Sequence, residues 1–279
     1  MMPRFSARFS GSLTAIALLA AAAPAHAWGP IGHRITADLA DRNINGRTRA
    51  KIEMILGDET LAEAATQPDE QRSNPNLFWQ ETAGPYHYVT LPEGRTTDML
   101  EHPPEGDAVT ALDGFVATLR DPNASREDKA LALRFVVHIV GDLHMPLHVG
   151  NGTDRGGNWY NVLWFDEPTN LHWVWDEGMI LRQQLSYSEY ADRLARRTDP
   201  AEVVEWWDAD PETWMNESAE LRDRIYPTPG ENEGSGTQED PTVLSFDYNY
   251  IWTPVAEKRM QQAGVRIAAY LDWVFAPEG

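Results

Sequence analysis

A histidine and an aspartate stand where a fold can least tolerate them unaided. Leu131, Phe135, Val136, Ile139 and Val140 give residues 129–142 the spacing of a helix with a wide apolar face. His138 and Asp142 lie four apart in that segment, so on a helix they share one face. An ionised carboxylate carried into an apolar interior is costly unless a counter-charge meets it there. The chain has to supply that partner from elsewhere or hold a cation.

Two further observations narrow the choice. His172 and Asp176 repeat the spacing of four on a second segment, and His148 follows a Met145-Pro146 break able to turn the chain back toward the first pair. The 279 residues contain no Cys, which excludes disulfide frameworks, thiolate zinc fingers, iron–sulfur clusters and a cysteine nucleophile. Imidazole and carboxylate without thiolate suit zinc in a hydrolytic site. A lone His/Asp pair is most often a solvated helix pair. Two pairs plus His148, set among apolar residues and part of a total of 11 Trp, favour a metal site. His144, two residues after Asp142, points elsewhere on a continuing helix and reads as structural or as a neighbour of a ligand. His102 reads as a loop surface residue.

The remaining organisation is mainly α. Helices are predicted over 32–43, 48–56, 60–65, 109–119, 129–142, 179–197, 201–221 and 254–275, with Ser125 capping the fifth through Asp128. Residues 158–165 read as a short strand or hairpin arm, and 227–241, rich in Gly, Pro, Glu and Ser, as a loop. Residues 1–27 read as a secretory signal: Arg4 and Arg8 precede a short apolar run at 13–23 and the small residues Ala25 and Ala27. Cleavage there leaves 252 of the 279 residues as one domain, 28–279, with Trp28 first and its net charge moved from −20 to −22. A periplasmic or secreted protein is expected. So acidic a chain has no basic surface for phosphate, and other cations must serve if it meets a polyanion.

The sequence resembles the zinc-dependent S1/P1 nucleases, which share a fold with bacterial zinc phospholipase C. The resemblance begins at Trp28 through His33. It continues through Pro68, Asp69 and Arg72, then Tyr86, His87 and Tyr88, and is densest from His138 through Asp142 and Met145 to His148. It goes on through Asp154 to Asn158, Asn170 to Asp176, and Ala263 to Ala268. It implies three zinc ions. One takes Asp69, His87, His138 and Asp142. A second takes the amino nitrogen and carbonyl oxygen of Trp28 with His33, and shares Asp142 as a bridge. The third takes His148, His172 and Asp176. Hydroxide on the bridged pair would then attack phosphorus, and the expected products carry 5′-phosphates.

Expected substrates are single-stranded DNA and RNA and nucleotides, with 3′-nucleotidase activity, no membrane attachment, no stable protein partner and a monomeric state. Tyr88 is the candidate for stacking a base and Asn158 for donating an amide to phosphate. Thr90 stands where the family often has Asp or Asn. The alternatives are a zinc phospholipase C acting on lipid head groups and an exported zinc-binding protein without catalysis.

Overall fold

A computed structural model describes residues 28–228 and 232–277. The expected signal segment, 1–27, lies outside the described residues. Helix α1 (Pro30–Asp41) starts with proline at its first position, where the missing N–H costs nothing. α2 (Gly46–Leu56) is capped by the Asn45 side chain, which accepts from the N–H groups of Arg47 and Thr48. α3 (Ala108–Arg120) and α4 (Arg126–Asp142) form an antiparallel pair across a short turn. The Ser125 cap on Asp128 N–H forms as expected. From Phe135 to Asp142, α4 is buried all round, His138 and Asp142 included. Phe135 stacks on Phe115 with ring centroids 4.5 Å apart and on Trp79 at 5.6 Å.

Two predicted helices are each broken in two. In place of 179–197 the chain makes a short turn, Met179–Leu181, and then α5 (Tyr187–Arg197), which Ser186 and Glu189 start with reciprocal capping bonds. In place of 201–221 there is Pro200–Trp206 and then α6 (Pro211–Ile225), begun by Asp210 with Pro211 at the first position. Capping residue and proline both mark a helix start. The last helix, α7 (Phe246–Val274), runs past Pro254 and begins eight residues before it. The carbonyl that Pro254 cannot bond belongs to Tyr250, whose residue is largely exposed to water. α7 crosses α1 closely at Gly264, where a Cβ would come within 2.4 Å of the Leu39 Cβ.

Strands are few among the described residues. β1 (Val89–Thr90) pairs in parallel with β2 (Val149–Gly150), Val89 opposite Val149. β3 (Asn161–Trp164) pairs antiparallel with β4 (Glu167–Asn170) through a two-residue turn, Phe165 and Asp166, both at positive φ. β5 (Thr242–Leu244) joins β3 in parallel. The expected arm at 158–165 is thus a hairpin strand, and the described part of 227–241 lies against it, with the Asn161 N–H donating to Gly236 O.

The core forms two clusters. One gathers α3, α4 and the end of α7 around Phe135. The other gathers Trp28, Ile35, Trp175 and the start of α7. The chain passes between them just after α4: Leu143 packs in the first, Met145 and Leu147 in the second, and Val149 in the first again. Histidines and aspartates line that seam.

Candidate metal centre

α1 brings His33 to the seam and α4 brings His138 and Asp142. A single turn, Gln67–Glu70, carries Asp69, and the turn before β1 carries His87. Pro146–His148 ends with His148 just before β2, so the β1–β2 pairing sets His87 and His148 side by side. His172 and Asp176 come from Leu171–Trp173 and the wider π turn that follows it, Val174–Gly178. All eight residues are buried.

They converge in three groups whose donor atoms lie within 4.8 Å of one another: His33, His138 and Asp142; Asp69, His87 and His138; His148, His172 and Asp176. Asp142 sits between them. One of its oxygens is 3.2 Å from His33 Nε2, and the other is 3.2 Å from His138 Nε2 and 3.5 Å from His87 Nδ1. The same oxygen is 4.0 Å from His148 Nδ1, which joins the third group to the other two.

The donors fit a cation. His138 Nδ1 donates to Ala65 O (2.7 Å), His172 Nδ1 to Gly156 O (2.6 Å) and His148 Nδ1 to His87 O. A carbonyl partner requires the proton on Nδ1, so each Nε2 presents a lone pair inward. His148 Nε2 and His172 Nε2 are 3.2 Å apart, and Asp176 lies 3.0 Å from the latter. His87 Nδ1 and His138 Nε2 are 2.7 Å apart, a separation two ring nitrogens keep by sharing a proton or a cation. Both oxygens of Asp142 and Oδ1 of Asp176 are buried and make no hydrogen bond to the described residues. Such groups in a native fold need a partner, which an ion or an ordered water supplies.

Charge follows the same logic. Burial holds His148 down to about 3, so the ring is neutral and ready to ligate at pH 7. Burial pushes Asp176 up to about 6 against the pull of His172. Asp142 is held well below the usual carboxylate range: burial alone would raise it, and His138, His33 and His87 outweigh that.

The glycine turn after Asp154 serves His172 directly. Gly156 has φ 62°, and a Cβ there would come within 2.3 Å of Leu147 O. Only glycine lets its carbonyl reach the imidazole. Trp28 is wholly buried, and its indole N–H donates to Gly141 O (3.0 Å), one residue before Asp142. Tyr88, beside His87, is 48% exposed. Asn158 donates one amide hydrogen to Arg155 O (2.8 Å) within its own turn. His144 is buried outside the three groups and bonds Val140 O, while His102 is half-exposed and bonds Asp107. The Arg72 guanidinium is 2.8 Å from Asp69, a neighbour that sequence reading left without a role although its spacing of three from Asp69 pointed to it.

A mainly helical domain with three buried His/Asp groups along one seam has the donor set of a multi-metal site. Residues 28–276 match the S1/P1 Nuclease family, and the chain belongs to that family. It is 30% identical to Nuclease S1 of Aspergillus oryzae over 92% of this chain and 95% of that protein. It is equally 30% identical to Endonuclease 4 of Arabidopsis thaliana over 89% of each. Nuclease P1 of Penicillium citrinum is 29% identical over 54% of this chain and 58% of its own length. The chain is therefore an S1/P1-type nuclease, a hydrolase acting on phosphoester bonds, with nucleic acid as the substrate its family implies. Among the described residues no helix is long and apolar enough to cross a membrane.

Proposed function

We propose that this chain is an exported, zinc-dependent phosphodiesterase that hydrolyses single-stranded DNA and RNA to 5′-phosphate products and also acts as a 3′-nucleotidase. The observation that carries this reading is the meeting of three buried His/Asp groups around Asp142 in a chain of this family. Asp69, His87, His138 and Asp142 would hold one zinc; the amino nitrogen and carbonyl oxygen of Trp28, with His33 and Asp142, a second; and His148, His172 and Asp176 the third. Bound zinc supplies Lewis acidity toward a phosphoryl oxygen and toward water.

The protein's own part is placement and charge. Asp142 reaches imidazoles on both sides, and its charge would lower the repulsion between cations held there. Ala65, His87 and Gly156 carbonyls fix the rings of His138, His148 and His172 in the ligating tautomer. Tyr88 offers an exposed face to a base, and Asn158, which gives one amide hydrogen to Arg155 O, would donate the other to phosphate. The field of a chain with net charge −20 disfavours polyanionic duplex, and donors buried in a seam are out of reach of a rigid helix.

Single-stranded DNA, single-stranded RNA, duplex DNA and phosphatidylcholine should be compared as substrates, with the ends of the products identified. Cutting of both single strands to 5′-phosphate ends, well ahead of duplex, is expected. Turnover of the lipid with inert polynucleotide would replace this reading by that of a phospholipase C. Near-stoichiometric zinc without turnover of any phosphoester would leave a zinc-binding protein. Export has a separate check. Protein that keeps residues before Trp28, verified by mass, should lack one zinc and most activity, because a free amine is needed as ligand.

A further inference from the structure

Next to the third His/Asp group the chain displays an aromatic ring and a cation that close no core. The turn from Asp154 to Tyr160 is fastened at several points. Asp154 accepts from the Gly157 N–H (3.0 Å) and from the Tyr226 hydroxyl (2.7 Å). Gly156 O takes the His172 Nδ1 proton, and Tyr160 O takes the Leu171 N–H (2.9 Å). The backbone of Trp159 is thus pinned between residues that grip the His172 segment. The residue is nevertheless 62% exposed. Arg155, exposed and in the left-handed region at φ 55°, sets its guanidinium carbon 5.8 Å from the centre of that ring. Asp154, its neighbour, is taken up by Tyr226 and Gly157.

An exposed indole on a pinned backbone with a guanidinium over it, in a chain of net charge −20, has the chemistry to take a nucleotide: a π face for a base and a fork for a phosphate. We propose that Trp159 and Arg155 form a platform for the single strand, taking a nucleotide beyond the two that flank the scissile phosphate. The proposal rests on the nuclease reading above and adds a strand-binding subsite to it. Tryptophan and arginine also occur together at lipid surfaces, so the test has to tell the two apart.

KM and kcat are to be measured for a 12-nucleotide single strand and for a dinucleotide, using the metal-loaded wild type, Trp159→Ala, Trp159→Phe and Arg155→Gln. Trp159→Ala is expected to raise KM for the long strand about ten-fold, the worth of one stacked base, and to raise it several-fold more than KM for the dinucleotide. Trp159→Phe keeps most of the affinity. Arg155→Gln makes long-strand binding less dependent on salt, by about 0.7 in the log–log slope. Equal shifts for both substrates, a fall in kcat alone, or no shift would overturn the platform. So would loss of binding to phosphatidylcholine vesicles with the oligonucleotide KM unmoved. Wild type that cuts polynucleotide while Trp159→Ala matches it sinks the platform alone. Wild type inert toward polynucleotide sinks the nuclease reading, and the platform with it.

Discussion

His138 and His144 lie six residues apart, both fully buried, and meet opposite surroundings. His138 faces Asp142 and Asp69, and their charge lifts it above the ordinary histidine value although burial alone would lower it. His144 faces Arg259 and Arg266 and is held far below that value by burial and by both guanidinium groups. It stays neutral, donating from Nδ1 to Val140 O and accepting at Nε2 from Arg266 (3.3 Å). The arginines carry their own counter-charge: Glu217 accepts from Arg259 (2.6 Å) and twice from Arg266 (2.5 and 2.7 Å). Arg259 also donates to His144 O, and Ser218 to Leu143 O, so this network clamps the turn that carries Asp142 toward His148. One side of the turn pairs its two guanidinium groups with the Glu217 carboxylate and with neutral acceptors of the chain itself. The other turns imidazole nitrogens and carboxylate oxygens toward one another in three groups with the donor set and spacing of a metal site. Burial is shared, so it does not mark the functional cluster; the convergence of His and Asp donors does.

The strongest way to break this contrast is Asp142→Asn. Losing the carboxylate between the histidines should cut kcat/KM by about 10³-fold or more, since several kcal/mol of transition-state charge stabilisation depend on it, and metal content should fall with it. Retained turnover would remove Asp142 from the centre. On the other side, Glu217→Leu leaves two buried guanidinium groups without their carboxylate and should cost about 3 kcal/mol of stability, read by urea unfolding. The metal-free protein should lose as much, because the clamp is independent of the ions. Gly156→Ala forces the carbonyl away from His172 and should weaken metal binding at the third group about 10- to 100-fold, measured by chelator competition.

The smallest expected effect is that of pH. With Asp176 pushed up to about 6, that carboxyl holds a proton below pH 6 and must release it to ligate. Metal affinity of the third group should therefore be level above about pH 6 and fall about ten-fold per unit below it. Asp176→Asn should flatten that slope while lowering affinity at every pH.

Part of this was legible from the residues alone. The spacing of four puts His138 with Asp142 and His172 with Asp176, and both pairs meet at 3.2 and 3.0 Å. His33, Asp69 and His87 came only from family resemblance, because they reach the site from single turns and from another helix, and local periodicity cannot see that. The two helices that broke were misjudged for a related reason. Their apolar spacing continues across Ser186 and Pro211, and capping bonds decided where each helix restarts: Ser186 with Glu189 in one, and Asp210 accepting from the Glu212 N–H in the other. α7 ran through Pro254 since tertiary packing and a solvated carbonyl outweigh one lost backbone bond. The Arg259–Glu217–Arg266 network had no sequence signal at all, being assembled by the crossing of α6 and α7 beside the turn after α4.

One measurement bears on the whole account most directly: zinc per chain in mature protein beginning at Trp28, paired with its rate on single-stranded DNA before chelation, after it, and after zinc is restored. About three ions per chain are expected by the three donor groups, with cutting abolished on their removal and recovered on their return. A zinc-free preparation that cuts as fast as the loaded one would contradict it.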